Sequence, residues 1–113
     1  MNATKYVSDD VVGRIEVIIR SVLALGSDVV LKPESDLVSV VGLDSIEAFE
    51  SVATLHEILG VRIPEDIDPK AITSLRGMAD YLVGRYDDSV IERFMTMDIE
   101  NKLASLRTAD DFE

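Results

Sequence analysis

Cysteine is missing from the 113 residues, which removes a disulfide framework, a thiolate metal site and a cysteine nucleophile at once. Basic residues are scarce. Eleven Lys and Arg stand against 22 Asp and Glu, a formal charge of −11 that argues against nucleic acid or an anionic membrane as partner. The same acidity favours steering onto basic surfaces and promotes solubility by itself. No apolar run approaches the roughly 18 residues that a membrane helix needs. Met1 to Asp10 is polar and has no apolar core segment, so no signal peptide is expected and a soluble, cytoplasmic protein is. Also absent are a credible nucleophile–base pair, a metal cluster and a phosphate loop, so no catalytic residues and no metal ligands are assigned. What remains is 47% apolar residues, enough for the core of one small domain with little to spare.

The pattern is helical. Ser8-Asp9-Asp10 offers a cap and first-turn acids to a segment with Val11, Val12, Ile15, Ile18, Ile19, Val22 and Leu23 at helical spacing, predicting a helix over residues 9–25 stopped by Gly26. Residues 26–43 read as a long connection punctuated by Pro33 and Gly42. Its apolar patches, Val29 to Leu31 and Leu37 to Val41, are expected to pin an ordered loop to the core rather than to form strands.

Gly42-Leu43-Asp44-Ser45-Ile46 closes that connection and opens a helix expected to end at Leu59 before Gly60. Asp44 and Ser45 are both good N-caps, and Glu47 three residues after Asp44 makes a capping-box-like start. Taken alone, the stretch is a helix cap. The apolar face is expected to comprise Ile46, Phe49, Val52, Ala53, Leu55, Ile58 and Leu59, with Glu47, Glu50, His56 and Glu57 on or near the other face.

Pro64 and Pro69 limit the next region to a short turn or loop, after which Thr73 and Ser74 cap a helix with Leu75, Met78, Ala79, Leu82 and Val83 inward. Beyond Gly84, Ser89 and Glu92 suggest a capping box. Ile91, Met95, Ile99, Leu103 and Leu106 follow at intervals of four, four, four and three, predicting one further amphipathic helix. An exposed stripe of that size needs cover, and docking on the same chain is expected. Thr108 to Glu113, acidic and poor in apolar residues, is expected to be disordered.

From residue 37 to residue 82 the chain resembles an acyl carrier protein of the phosphopantetheine-dependent kind. Asp36-Leu37 precedes Gly42-Leu43-Asp44-Ser45-Ile46-Glu47, where the family has Gly-x-Asp-Ser-Leu/Ile. Leu59-Gly60-Val61-Arg62-Ile63-Pro64-Glu65, then Ile72-Thr73-Ser74-Leu75 and Tyr81-Leu82, follow in order. The resemblance implies an all-α, acyl-carrier-like bundle of three main helices plus a short connecting helix. Here it would occupy residues 1–84, and residues 85–113 would add a C-terminal helical extension.

It also implies that Ser45 is esterified to 4'-phosphopantetheine, whose thiol holds acyl groups as thioesters. Asp44 would then help a phosphopantetheinyl transferase hold its metal ion and coenzyme A. Ile46, Glu47, Glu50 and Glu57 would meet acyl-transferring or acyl-processing enzymes with basic docking surfaces. The implied role is a non-catalytic, monomeric carrier for fatty-acid, lipid or polyketide biosynthesis. An aminoacyl carrier, for example for D-alanine, stays open, as does a carrier-fold interaction module that is never modified. Asp44 before the serine looks more like fatty-acid or polyketide carriers than the peptidyl kind.

The chemistry of the stretch agrees with this. A phosphodiester at Ser45 would sit where free N–H groups and the positive end of a helix favour an anion. Gly42 leaves room for an enzyme to approach the hydroxyl. Nothing activates the serine, because His56 lies eleven residues on, about three helical turns away. Three features depart from the family pattern. His56, read as an exposed polar residue, stands where an acid is usual, the loop after Pro64 is about one residue longer, and residues 85–113 are additional.

Overall fold

The computed structural model describes residues 6–67 and 73–111, with side chains as far as Ser105. These residues form six helices and no strand, the all-α bundle expected. In order they are α1 (Ser8–Val22), α2 (Leu37–Val41), α3 (Ser45–Leu59), α4 (Leu75–Arg85), α5 (Asp88–Thr96) and α6 (Ile99–Asp111).

α1 is the hub, packing against α3, α4 and α6. Its Val11, Val12, Ile15, Ile18 and Ile19 recur every three or four residues and are all buried, each aliphatic side chain contributing roughly 1.5–3 kcal/mol before ordering entropy is subtracted. Ser8 is not the cap. Val7 takes the N-cap position, its N–H donating to Asp10 Oδ2 at 2.9 Å, while Ser8 Oγ accepts from Arg76 Nη1 at 2.7 Å. α1 also ends earlier than Gly26. Ala24 adopts φ 55°, with Ala24 N–H bonded to Ser21 O and Leu25 N–H to Arg20 O, the paired closure that glycine usually supplies.

The connection after α1 is held at several points. The Arg20 guanidinium donates to the carbonyls of Gly26 and Val29, and Leu31 is buried. Arg76 on α4 binds Asp9 at 2.6 Å and Glu34 at 3.2 Å, tying the α1 N-terminus, the connection and α4 together. Those two carboxylates, Asp9 first, hold the guanidinium above its ordinary pKa. Within the stretch expected to be loop lies α2, capped by Asp36, whose side chain accepts from Val38 N–H. Its Leu37 is fully buried, and Leu37 N–H reaches Thr73 O at 2.9 Å. Gly42 closes α2 at φ 70°, a left-handed conformation that disfavours any side chain.

α3 starts and stops as expected. The capping box between Asp44 and Glu47 is formed, and Gly60 closes the helix at φ 75°. Ser74 caps α4 by accepting from Gly77 N–H at 2.9 Å. The expectations placed on Pro69 and Ile72, and on the length of that loop, lie outside the described residues. Among the described residues the helix of five residues, α2, precedes α3.

The C-terminal segment is two helices rather than one. The chain leaves α5 through extended Met97, and Asp98 starts α6 by accepting from Asn101 N–H. The cap of α5 is Asp87, which accepts from Val90 N–H and Ser89 Oγ; Ser89 does not cap. Those bonds, the hydroxyl first, hold the Asp87 carboxyl below its ordinary range. Both helices dock on the same chain, as expected. Ile91, Phe94, Ile99 and Leu103 are buried, Arg93 donates to Leu59 O at 2.8 Å, and Arg14 donates to Met97 O at 2.9 Å. Each guanidinium thus satisfies a carbonyl at a helix C-terminus. The Leu106 side chain lies outside the described residues, and α6 continues to Asp111 through part of the stretch expected to be disordered.

Candidate functional site

Ser45 occupies the first position of α3, directly after the Asp44 cap, and is exposed. Asp44 Oδ1 accepts from Glu47 N–H at 2.7 Å, Glu47 Oε1 accepts from Asp44 N–H at 3.2 Å, and Asp44 O accepts from Ala48 N–H at 2.9 Å. These bonds fix the turn and leave the serine hydroxyl outside them. Three other serines of this part of the chain are committed differently. Ser51 is buried and donates to Glu47 O, Ser74 caps α4, and Ser39 bonds Asp36 at 3.4 Å.

An apolar groove of about 360 Å³ opens beside Ser45, in the size range of small-molecule sites. Leu43, Ala48, Phe49 and Val52 line it from the α3 side, and Val38, Ile63, Ile67 and Thr73 complete the wall, with Asp44 and Ser45 at its edge. Leu43 and Val52 are buried, so the groove reaches into the core from an exposed hydroxyl.

The faces of α3 differ from expectation. Phe49, part of the expected apolar face, is 65% exposed, and Ile46, the residue of that face also assigned to partner enzymes, is 70% exposed. Ser51 and His56 take inward positions instead, each 1% exposed. Glu50 and Glu57 are exposed, whereas Glu47 is half-buried and engaged in the cap.

His56 is therefore not an exposed polar residue. Its Nδ1 lies 2.7 Å from Val52 O, which can only accept, so Nδ1 carries a proton. In the neutral ring Nε2 then accepts from the Tyr81 hydroxyl at 2.7 Å, and Tyr81 Oη lies 3.2 Å from Tyr86 Oη. Burial first, and the Tyr86 hydrogen bond second, push the Tyr81 phenol above its ordinary range. The partner that makes burial of His56 tolerable is 25 residues away, and no local pattern signals it.

An exposed serine at a helix start beside an apolar groove suits a covalent attachment point. A family model described as the phosphopantetheine attachment site matches residues 13–82. The chain belongs to this family of carriers. No curated protein and no solved structure gives a match. Carrier domains of this kind hold 4'-phosphopantetheine covalently on a serine, are generally non-catalytic, and are modified by a separate transferase that they must bind. In this carrier the match runs from α1 to α4 and leaves α5 and α6 outside it. Among the described residues no helix is long and apolar enough to cross a membrane.

The residues present fit the prosthetic group. The α3 N-terminus favours a phosphodiester, the Ser45 side chain is accessible, and the groove beside it is apolar.

Proposed function

We propose that this carrier holds acyl intermediates on an arm attached to Ser45 and delivers them to enzymes of fatty-acid, lipid or polyketide biosynthesis. The observation that carries this reading is the groove: its wall is almost entirely apolar and its edge is Ser45. When bound, 4'-phosphopantetheine supplies a flexible arm and a terminal thiol that holds cargo as a thioester. The chain's own residues do the rest. Asp44 and Glu47 fix the turn that presents Ser45, and the α3 N-terminus favours the phosphodiester. Leu43, Ala48, Val52 and Ile63 offer an aliphatic chain a surface away from water.

Nothing beside Ser45 acts as its base, so the serine is a passive acceptor. Asp44 remains exposed on one side and is assigned to transferase recognition. Tethering raises the local concentration of cargo at successive active sites without any chemistry by the carrier itself. The carrier unit is assigned to residues 1–84 and the extension to 85–113. A cysteine-free, acidic monomer in the cytoplasm fits this role.

An aminoacyl cargo, D-alanine included, would gain little from an apolar groove. Intact-mass analysis of the protein isolated from its host, before and after thioester cleavage by hydroxylamine, tests the reading. Loss of an aliphatic acyl group is expected. An aminoacyl group, or a Ser45 that never carries an arm in the host, would overturn it.

A further inference from the structure

The groove beside Ser45 has a definite inner end. On its α3 wall the lining side chains Ser45, Ala48, Phe49 and Val52 recur every three or four residues, and one turn farther along that stripe stand Leu55 and His56, both buried. His56 is bonded to the last lining residue itself, its Nδ1 lying 2.7 Å from Val52 O. The opposite wall runs the same way. Ile67 follows Asp66, whose carboxylate meets Arg85 Nη2 at 3.2 Å, and Arg85 stands one turn beyond Tyr81 on α4. Both walls therefore lead toward the bond between His56 Nε2 and Tyr81 Oη, which Tyr86 Oη backs at 3.2 Å. The three rings pack tilted or edge to face, with centroids 5.6 to 6.4 Å apart.

We propose that the His56–Tyr81 pair is a built-in stop that sets how long a cargo the groove encloses, so that this carrier shelters short and medium straight acyl chains and leaves longer ones partly in water. Volume and polarity both point to it. The groove holds about 360 Å³, and past Val52 the next polar side chain on its stripe is an imidazole whose two nitrogens are already bonded. Among the described residues no buried side-chain nitrogen or oxygen lacks a partner, so an aliphatic chain that pushed between His56 and Tyr81 would strand an acceptor and a donor away from water. Each further methylene gains less from burial than that loss costs.

The stop rests on the reading that an acyl cargo attached at Ser45 lies in the groove, and one series of measurements tells the two apart. A broad-specificity transferase loads the full chain from coenzyme A or from its butyryl, octanoyl or palmitoyl thioester, intact mass confirms each form, and melting temperatures are compared. For the parent, octanoyl is expected to raise the melting temperature by about 4 °C or more above the bare arm, and palmitoyl to add nothing further. His56→Ala starts lower but opens the inner end, so palmitoyl is expected to exceed octanoyl by a similar margin. Phe94→Ala, destabilised at a residue that does not line the groove, is expected to keep the parent's plateau. Should His56→Ala fail to fold, His56→Leu takes its place with the same expectation, because Tyr81 keeps Tyr86 as a partner and no polar ring resists the chain. A parent that gains as much again from palmitoyl, or a His56 variant with the parent's plateau, overturns the stop alone. No gain from any acyl chain overturns the groove reading and the stop together.

Discussion

His56 Nε2 lies 2.7 Å from Tyr81 Oη, and this bond joins the last turn of α3 to the middle of α4, with the imidazole buried and the phenol half-buried. With Nδ1 held by Val52 O, both ring nitrogens are satisfied, and Tyr86 extends the chain of hydroxyls toward α5. Replacing His56 with Ala removes a packed ring and leaves the Tyr81 hydroxyl one partner short. A loss of about 2–4 kcal/mol is expected in chemical denaturation, with Ser45 loading retained in the folded fraction. An exposed histidine would cost a few tenths.

The raised Tyr81 phenol carries a pH dependence of definite sign. Its folded value lies above its unfolded value, so its contribution is complete below the unfolded range, near pH 10, and is lost as pH rises toward the folded value. Tryptophan is absent and there are three tyrosines, so ultraviolet titration reads tyrosinate directly. The native chain is expected to show a component ionising above the free-phenol range, and Tyr81→Phe to lack it.

Ala24 holds a left-handed conformation, which costs an L-residue about 1–2 kcal/mol. Ala24→Gly relieves that strain and makes the unfolded chain more flexible, which offsets part of the gain. A net stabilisation of about 0.5–1 kcal/mol is expected in thermal or urea unfolding. Destabilisation would mean that α1 does not end at Val22.

Phe94 on α5 is 1% exposed although it lies beyond the part of the chain matched to the carrier family. Phe94→Ala is expected to cost about 3–5 kcal/mol and to lower the melting temperature of the whole molecule in one transition. Two separate transitions would show that residues 85–113 form an independent unit.

How far these features can be read without coordinates depends on where the controlling partner lies. The Asp44 and Glu47 capping box, Gly60 and Ser74 act within a few residues of themselves, and each is legible. The α2 helix is hidden because Leu-Val-Ser-Val-Val is rich in β-branched residues of low helix propensity. Its signals are the Asp36 cap, the Gly42 stop and the buried Leu37. The break between α5 and α6 is masked by an apolar interval of four that continues through it from Met95 to Ile99; Asp98, a good N-cap, is the available sign.

At the site itself, the Asp44-Ser45 pair is legible and its apolar surroundings are not. Phe49 and Ile46 fit a helical apolar stripe as well as Val52 does. The tertiary fold, not the periodicity, decides that Val52 is covered and the other two are not. His56 is the converse, a polar residue made internal by Tyr81 from another helix.

The central claim is that Ser45 accepts the arm, and intact mass with peptide mapping tests it most directly. The parent chain and Ser45→Ala are each incubated with coenzyme A and a broad-specificity transferase. Ser45 is not the side chain that caps α3, so the variant is expected to keep its helicity and lose no more than about 1 kcal/mol. The account predicts one phosphopantetheine increment on the parent, mapped to the peptide containing Ser45, and none on Ser45→Ala. An increment retained by Ser45→Ala, or mapped to another serine, would contradict it.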